Sequence, residues 1–119
     1  MFVEEALLGD GPRAFQQDIV AARGDNEQGI AGMAWGSRVM VVKVLDEKGN
    51  GLYSDLAAGL AYAADNGARV ANLSLGGASP SQILEEAVDY ARARGMLVVA
   101  STGNTNAAVQ FPAAYDNAL

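Results

Sequence analysis

The 119-residue chain carries 8 basic against 14 acidic residues, a net charge of −6, with 14 glycines, 50% apolar residues, and neither cysteine nor histidine. Those absences exclude a disulfide framework, a zinc, iron–sulfur or haem site ligated by Cys or His, and any mechanism in which an imidazole of this chain is the general base. An acidic chain without basic clusters is also poorly matched to nucleic acid or an anionic membrane surface, and its length fits one domain.

In chain order, the first predicted element is a helix from about Pro12 to Arg23, stopped by Gly24. Arg38–Leu45 (RVMVVKVL) follows as a strand, its near-continuous apolar character suggesting burial on both faces. Ser54 is placed to cap a helix over Asp55–Asn66, with Leu56, Leu60, Ala61 and Ala64 on one face and Gly67 just past the end. Val70–Leu75 (VANLSL) reads as the second buried strand. Ser79-Pro80-Ser81-Gln82 has the form of a capping box opening a helix over Pro80–Arg94. Its apolar stripe is Ile83, Leu84, Ala87, Val88 and Ala91; Arg92 and Arg94 suit its last turn, and Gly95 stops it. Met96–Ser101 (MLVVAS) is the third strand.

Strands alternating with helices at this spacing require right-handed crossovers. The fold class is therefore α/β: a three-layer, mainly parallel sheet of at least three strands with helices on both faces. No segment approaches the roughly 20 apolar residues of a membrane span. No basic-then-apolar leader is recognisable, and compartment is left undecided.

Ligands of open parallel sheets bind at the carboxyl ends of the strands. Those ends carry Asp46–Gly51, Ser74–Ala78 and Ser101–Asn106. Glycines in the second and third let another backbone approach, which suits an extended peptide pairing along Ser74–Gly76. The Asn104 amide is placed to donate to a developing oxyanion. The same residues also serve ordinary strand–helix turns, where asparagine and glycine are favoured for geometry alone.

The segments Asn26–Gly32 (NEQGIAG), Val39–Gly51 (VMVVKVLDEKGNG), Asp65–Gly77 (DNGARVANLSLGG), Ala87–Asn104 (AVDYARARGMLVVASTGN) and Phe111–Asn117 (FPAAYDN) resemble, in order and spacing, the subtilisin-like serine peptidases. The resemblance covers Ile19 to Leu119, so residues 19–119 are expected to form a partial subtilisin-like domain and residues 1–18 a divergent segment containing the start of the first helix. It implies that Ser74, Leu75 and Gly76 pair with substrate backbone and form one wall of a specificity pocket. Ala100, Ser101, Thr102 and Gly103 would form the opposite wall, with Asn104 lining the oxyanion hole. Pro112 matches a proline that is cis in relatives. Asn26 sits in a loop resembling a calcium-binding one, but the other ligands of that site come from segments not matched here, so calcium is a weak expectation and no other cofactor is implied.

The departures concern the triad. Ungapped alignment puts Pro12 where the family's catalytic histidine opens a helix, and nothing upstream resembles the aspartate strand. The nucleophilic serine motif would lie beyond Leu119. The resemblance thus implies a peptide or protein substrate for the family, and a chain that keeps a cleft wall and an oxyanion asparagine without Asp, His or Ser of the triad. Relatives are usually secreted.

The missing aspartate strand would leave a slot between the strands at Arg38–Leu45 and Val70–Leu75. Phe2–Leu8, a closing-up of the two strands, or a second copy could fill it. Glu4 and Glu5 argue against the first, so a homo-oligomer is expected, a swapped strand or segment being one way to build it. Three other chemistries fit residues here. A Ser–Lys pair would need Lys43 or Lys48. Gly9-Asp10-Gly11-Pro12-Arg13-Ala14 fits a nucleotide-binding G-x-G-x-x-A, although a turn feeding a helix explains it equally. Carboxylates among Glu4, Glu5, Asp10, Asp18, Asp46 and Glu47 could pair across an oligomer in a repurposed hydrolase, against the simpler reading of solvated surface charge.

Overall fold

The computed structural model describes residues 2–5, 22, 24–27 and 31–119. The predicted helix Pro12–Arg23, except Ala22, lies outside the described residues, as do Pro12 itself and the Gly9–Ala14 motif. Among the described residues the elements are β1 (Phe2–Glu5), β2 (Val39–Val42), α1 (Tyr53–Asp65), β3 (Val70–Leu73), α2 (Gln82–Ala93) and β4 (Leu97–Ala100). They form an α/β unit whose four-stranded sheet runs in the order β2-β1-β3-β4, every pairing parallel. No helix of the described residues is long and apolar enough to cross a membrane.

The slot between β2 and β3 is filled by the chain's own β1. Phe2 aligns with Val39 on one side and Val70 on the other, and Val3 with Met40 and Ala71. The ladder to β3 ends there, whereas Glu4 and Glu5 align with Val41 and Val42 of β2 only. The acidic pair therefore stands beyond the doubly paired part of the strand. That register lets an acidic segment supply the missing main-chain partner.

One face of the sheet carries the core. Ala71 and Leu73 of β3 and Val98 of β4 are buried there with Leu56, Leu60 and Ala63 from α1 and Leu84, Val88 and Ala91 from α2, while Met40 and Val42 pack against them. Each fully buried Leu or Val contributes about 2 kcal/mol from apolar burial. Gly59, in the middle of α1, faces β2: a Cβ there would stand 2.8 Å from Val44 Cγ1 and 3.1 Å from Val42 Cγ1. Glycine lowers helix propensity, and here its absent side chain lets helix and strand approach.

Burial on both faces does not hold for the strands. Val98 is 1% exposed, but its neighbours Leu97 and Val99 are 38% and 36% exposed and Val41 of β2 is 43% exposed. Both described helices deliver their buried residues to the same face, so each strand alternates. Ile83 is likewise outside the α2 stripe, at 52% exposure, and Ala63 replaces Ala61 at the buried position of α1.

The stop signals hold and the start signals do not. Gly67 and Gly95 take left-handed φ of 82° and 81° immediately past the two helices, a conformation that costs glycine little. At the other ends, the N-cap positions are Leu52 and Ser81, neither with a side-chain capping bond. Ser54 is instead inside α1. The Ser81 backbone is engaged by Tyr115, whose hydroxyl donates to Ser81 O at 2.8 Å and accepts from Ser81 N–H at 2.9 Å. A tertiary contact thus does the work expected of the capping box.

The two helices are tied at their carboxyl ends. Tyr90 Oη donates to Asp65 Oδ1 at 2.6 Å, Arg94 donates to Tyr90 Oη at 2.7 Å, and Arg94 stands 3.1 Å from Asp65 Oδ1. At the sheet's edge, Leu119 N–H donates to Val98 O at 2.9 Å and Ala100 N–H to Leu119 O at 2.7 Å.

The close approach of α1 to β2 is testable. Gly59→Leu is expected to lower the unfolding free energy by about 3 kcal/mol through overpacking against Val42 and Val44. Ala58→Leu, at the exposed neighbouring position, should change it by less than about 0.5 kcal/mol. Urea titrations followed by circular dichroism distinguish the two.

Candidate functional site

β3 and β4 run parallel, so the loops leaving their carboxyl ends emerge side by side. Ser101 N–H donates to Leu73 O at 3.0 Å, closing the last rung between them. Beyond it, Ser74–Gly77 and Ser101–Gly103 diverge as two walls. A third segment crosses between them: Gln110 N–H donates to Thr102 O at 3.1 Å, while Phe111 and Gly77 exchange two main-chain bonds of 2.9 and 3.0 Å as an antiparallel bridge. Ser74–Gly76 and Ala100–Asn104 are thus brought to one end of the sheet and joined through 110–111.

Within this arrangement Ser74 and Gly76 are exposed and Leu75 is half-buried. Asn72 Nδ2 donates to Ser74 Oγ at 3.2 Å, and Ser101 Oγ accepts from Gly103 N–H at 3.3 Å. Both hydroxyls serve their own loops, and no lysine stands in hydrogen-bond contact with either among the described residues. No main-chain hydrogen bond joins Leu75 or Gly76 to another described residue, so a stretch of backbone donors and acceptors lies open for pairing. Gly103 has φ of 95°, and exposed Asn104 follows it with its side-chain amide bonded to no described residue.

Sequence motifs did not mark Gln110, which occupies the space between the walls. A Cβ on Gly76 would stand 2.7 Å from Gln110 Oε1, and one on Gly103 would stand 2.7 Å from Gln110 Cδ. The side chain therefore lies where both loops are glycine and takes up part of the gap between them. Tyr53 was also unmarked: it lies against Gly77, where a Cβ would collide with its ring, and its hydroxyl donates to Ser79 O at 2.8 Å. Paired glycines on facing loops are the only sequence signal for either residue.

The Phe111–Pro112 bond is cis, as the resemblance implied. The Phe111 and Tyr115 rings pack at a tilt of 48° with centroids 4.9 Å apart, Tyr115 is buried, and its hydroxyl anchors the start of α2 as described above.

The loop after β2 forms a separate feature. Asp46 Oδ1 accepts from Lys48 N–H at 2.9 Å and Asn50 N–H at 2.8 Å, and Asp46 N–H donates to Asn50 O at 2.7 Å. These bonds, the Asn50 N–H first among them, hold the Asp46 carboxyl below its usual range. Oδ1 of that carboxylate is thus engaged in the turn. A cavity of about 420 Å³ opens beside it, lined by Lys43, Val44, Leu45, Asp46, Asn50, Gly51, Leu52 and Asp55. It is distinct from the slot at Gln110.

No group of three or more acidic side chains gathers among the described residues. Asp25 and Glu27 flank Asn26 in a bend.

Comparisons with known proteins agree with this architecture. The model of the subtilase family matches residues 18–119. Subtilisin Savinase of Lederbergia lenta is 48% identical over 112 residues, covering 93% of this chain and 41% of that protein. Thermitase of Thermoactinomyces vulgaris is 44% identical over 112 residues, covering 93% of this chain and 40% of its own length. Among solved structures, a protease from Pseudoalteromonas arctica PAMC 21717 superposes with a TM-score of 0.79 at 36% identity, over 85% of this chain and 33% of that one. The chain spans about two fifths or less of the length of each of these relatives.

The Asp46 turn carries a pH signature. Its carboxyl is more acidic folded than unfolded, so its contribution is complete above the unfolded value and is lost as pH falls through the folded one. Thermal melts of the wild type and Asp46→Asn should differ at neutral pH and converge as the solution is acidified below the ordinary carboxylate range. A gap that stays constant with pH contradicts this.

Proposed function

The chain belongs to the subtilase family of peptidases, and from that premise we propose that it is the cleft-wall portion of a peptidase fold, which binds extended peptides without cleaving them. The observation that carries this reading is the open backbone of Leu75–Gly76 beside a slot between two glycine-lined loops. A peptide adds to such a strand extension through main-chain bonds, and one of its side chains enters the slot. Ser74, Leu75 and Gly76 are the pairing wall; Ala100, Ser101, Thr102 and Gly103 are the opposite one. Gln110 sets how much side chain the slot accepts, and its amide favours a small or hydrogen-bonding group there.

Exposed Asn104 follows Gly103, and its amide, bonded to no described residue, is the donor this reading assigns to a carbonyl oxygen of the bound peptide. Polarising that carbonyl is not hydrolysis. The nucleophile of a serine peptidase needs a base to take its proton, and none of the 119 residues is a histidine. Oxyanion donation alone leaves only weak residual catalysis.

The test uses binding and turnover together. A fluorescently labelled extended peptide with a small polar central side chain should raise its anisotropy on adding the chain. Gly76→Val, which would collide with Gln110 and narrow the wall, should weaken binding at least about tenfold, or about 1.4 kcal/mol. A chromogenic peptide should show no hydrolysis above buffer, and a serine-directed phosphonate should leave no label. Absence of binding overturns the peptide-binding reading, and phosphonate labelling overturns the non-catalytic one.

A further inference from the structure

The chain contains two Asn-Gly pairs, Asn50-Gly51 and Asn66-Gly67, and the fold treats them differently. Deamidation begins when the backbone nitrogen of the following residue loses its proton and attacks the asparagine Cγ. The new N–Cγ bond forms, ammonia leaves, and water then opens the cyclic imide to aspartate or to isoaspartate. Glycine in second place removes the steric barrier to the attack. What remains is whether that nitrogen is free.

At the carboxyl end of α1 it is not. Gly67 N–H donates to Ala64 O at 3.2 Å, Asn66 N–H to Tyr62 O at 3.0 Å, and Asn66 Nδ2 to the same Tyr62 carbonyl at 2.8 Å. Both the attacking nitrogen and the carboxamide are held by the last turn of a helix. In the loop after β2, Gly51 N–H has no hydrogen-bond partner among the described residues. Its peptide carbonyl, Asn50 O, accepts from Asp46 N–H at 2.7 Å, which draws electron density from the same peptide unit and eases loss of the Gly51 proton. Asn50 is exposed, lines the open 420 Å³ cavity and turns its carboxamide to the exposed Asp46 carboxylate, so the difference from Asn66 lies in the Gly51 nitrogen, which water and hydroxide reach.

We propose that Asn50-Gly51 is a site of spontaneous deamidation and that Asn66-Gly67 is a protected one. The product is disruptive where it forms. A carboxylate at position 50 faces the Asp46 carboxylate across the turn. An isoaspartate adds a methylene to the main chain, so the two bonds linking position 50 to Asp46 lose their common register.

The folded chain, incubated in mildly alkaline buffer, is digested with trypsin and the peptide Gly49–Arg69, which holds both pairs, is sequenced by tandem mass spectrometry. Each conversion adds about one mass unit at an identifiable residue. Asn50 should convert at least about fivefold faster than Asn66, the factor that a single amide hydrogen bond on the competing nitrogen contributes. In denaturing urea the two rates should converge, and Asn50→Ser should abolish most of the isoaspartate that a methyltransferase assay detects in the folded protein. Equal rates in the folded chain, or an Asn50 that converts only in urea, overturn the assignment.

Discussion

An inner strand of a parallel sheet must satisfy main-chain hydrogen bonds on both sides, and in this chain that requirement falls on four residues. β1 aligns with β2 over Phe2–Glu5 and with β3 over Phe2–Val3. Through it, α1, seated on β2 by way of Gly59, shares one core with α2, β3 and β4. The loops at Ser74 and Ser101 stand side by side because the strands that precede them are held in that sheet. Without a strand between β2 and β3, two open edges would face each other with nothing to set their spacing.

Much of this was legible in the residues. Val-rich runs bounded by turn residues locate the strands, and Gly67 and Gly95 mark where the helices stop, because local backbone conformation decides both. The errors have tertiary causes. Ser79–Gln82 has the composition of a capping box, but Tyr115, 34 residues from Ser81, takes its backbone instead. Apolar runs such as Leu97–Ala100 look buried on both faces, but composition does not count the faces that helices cover. The acidic β1 looked unsuited to an inner position because charge was weighed without register.

The candidate site was legible in its walls and not in its contents. Gly76, Gly103 and Asn104 stand in recognisable strings, since glycine and asparagine at strand ends have few local alternatives. Gln110 stands seven residues past Gly103 in a polar stretch with no periodicity, and only the fold brings it between the walls. Asp46, a candidate for chemistry by its place at a strand end, proves also to organise its own turn through Oδ1.

The main-chain bridge between Gly77 and Phe111 has a further consequence. Because backbone atoms set the separation of the two loops, the width of the slot does not depend on the side chain at position 110. Width and filling are separate variables. A lineage can replace Gln110 by something smaller, larger or charged and alter what fits, while the walls keep their distance and the buried Tyr115 behind them stays in place. Recognition can then drift by single substitutions without drawing on the stability of the sheet.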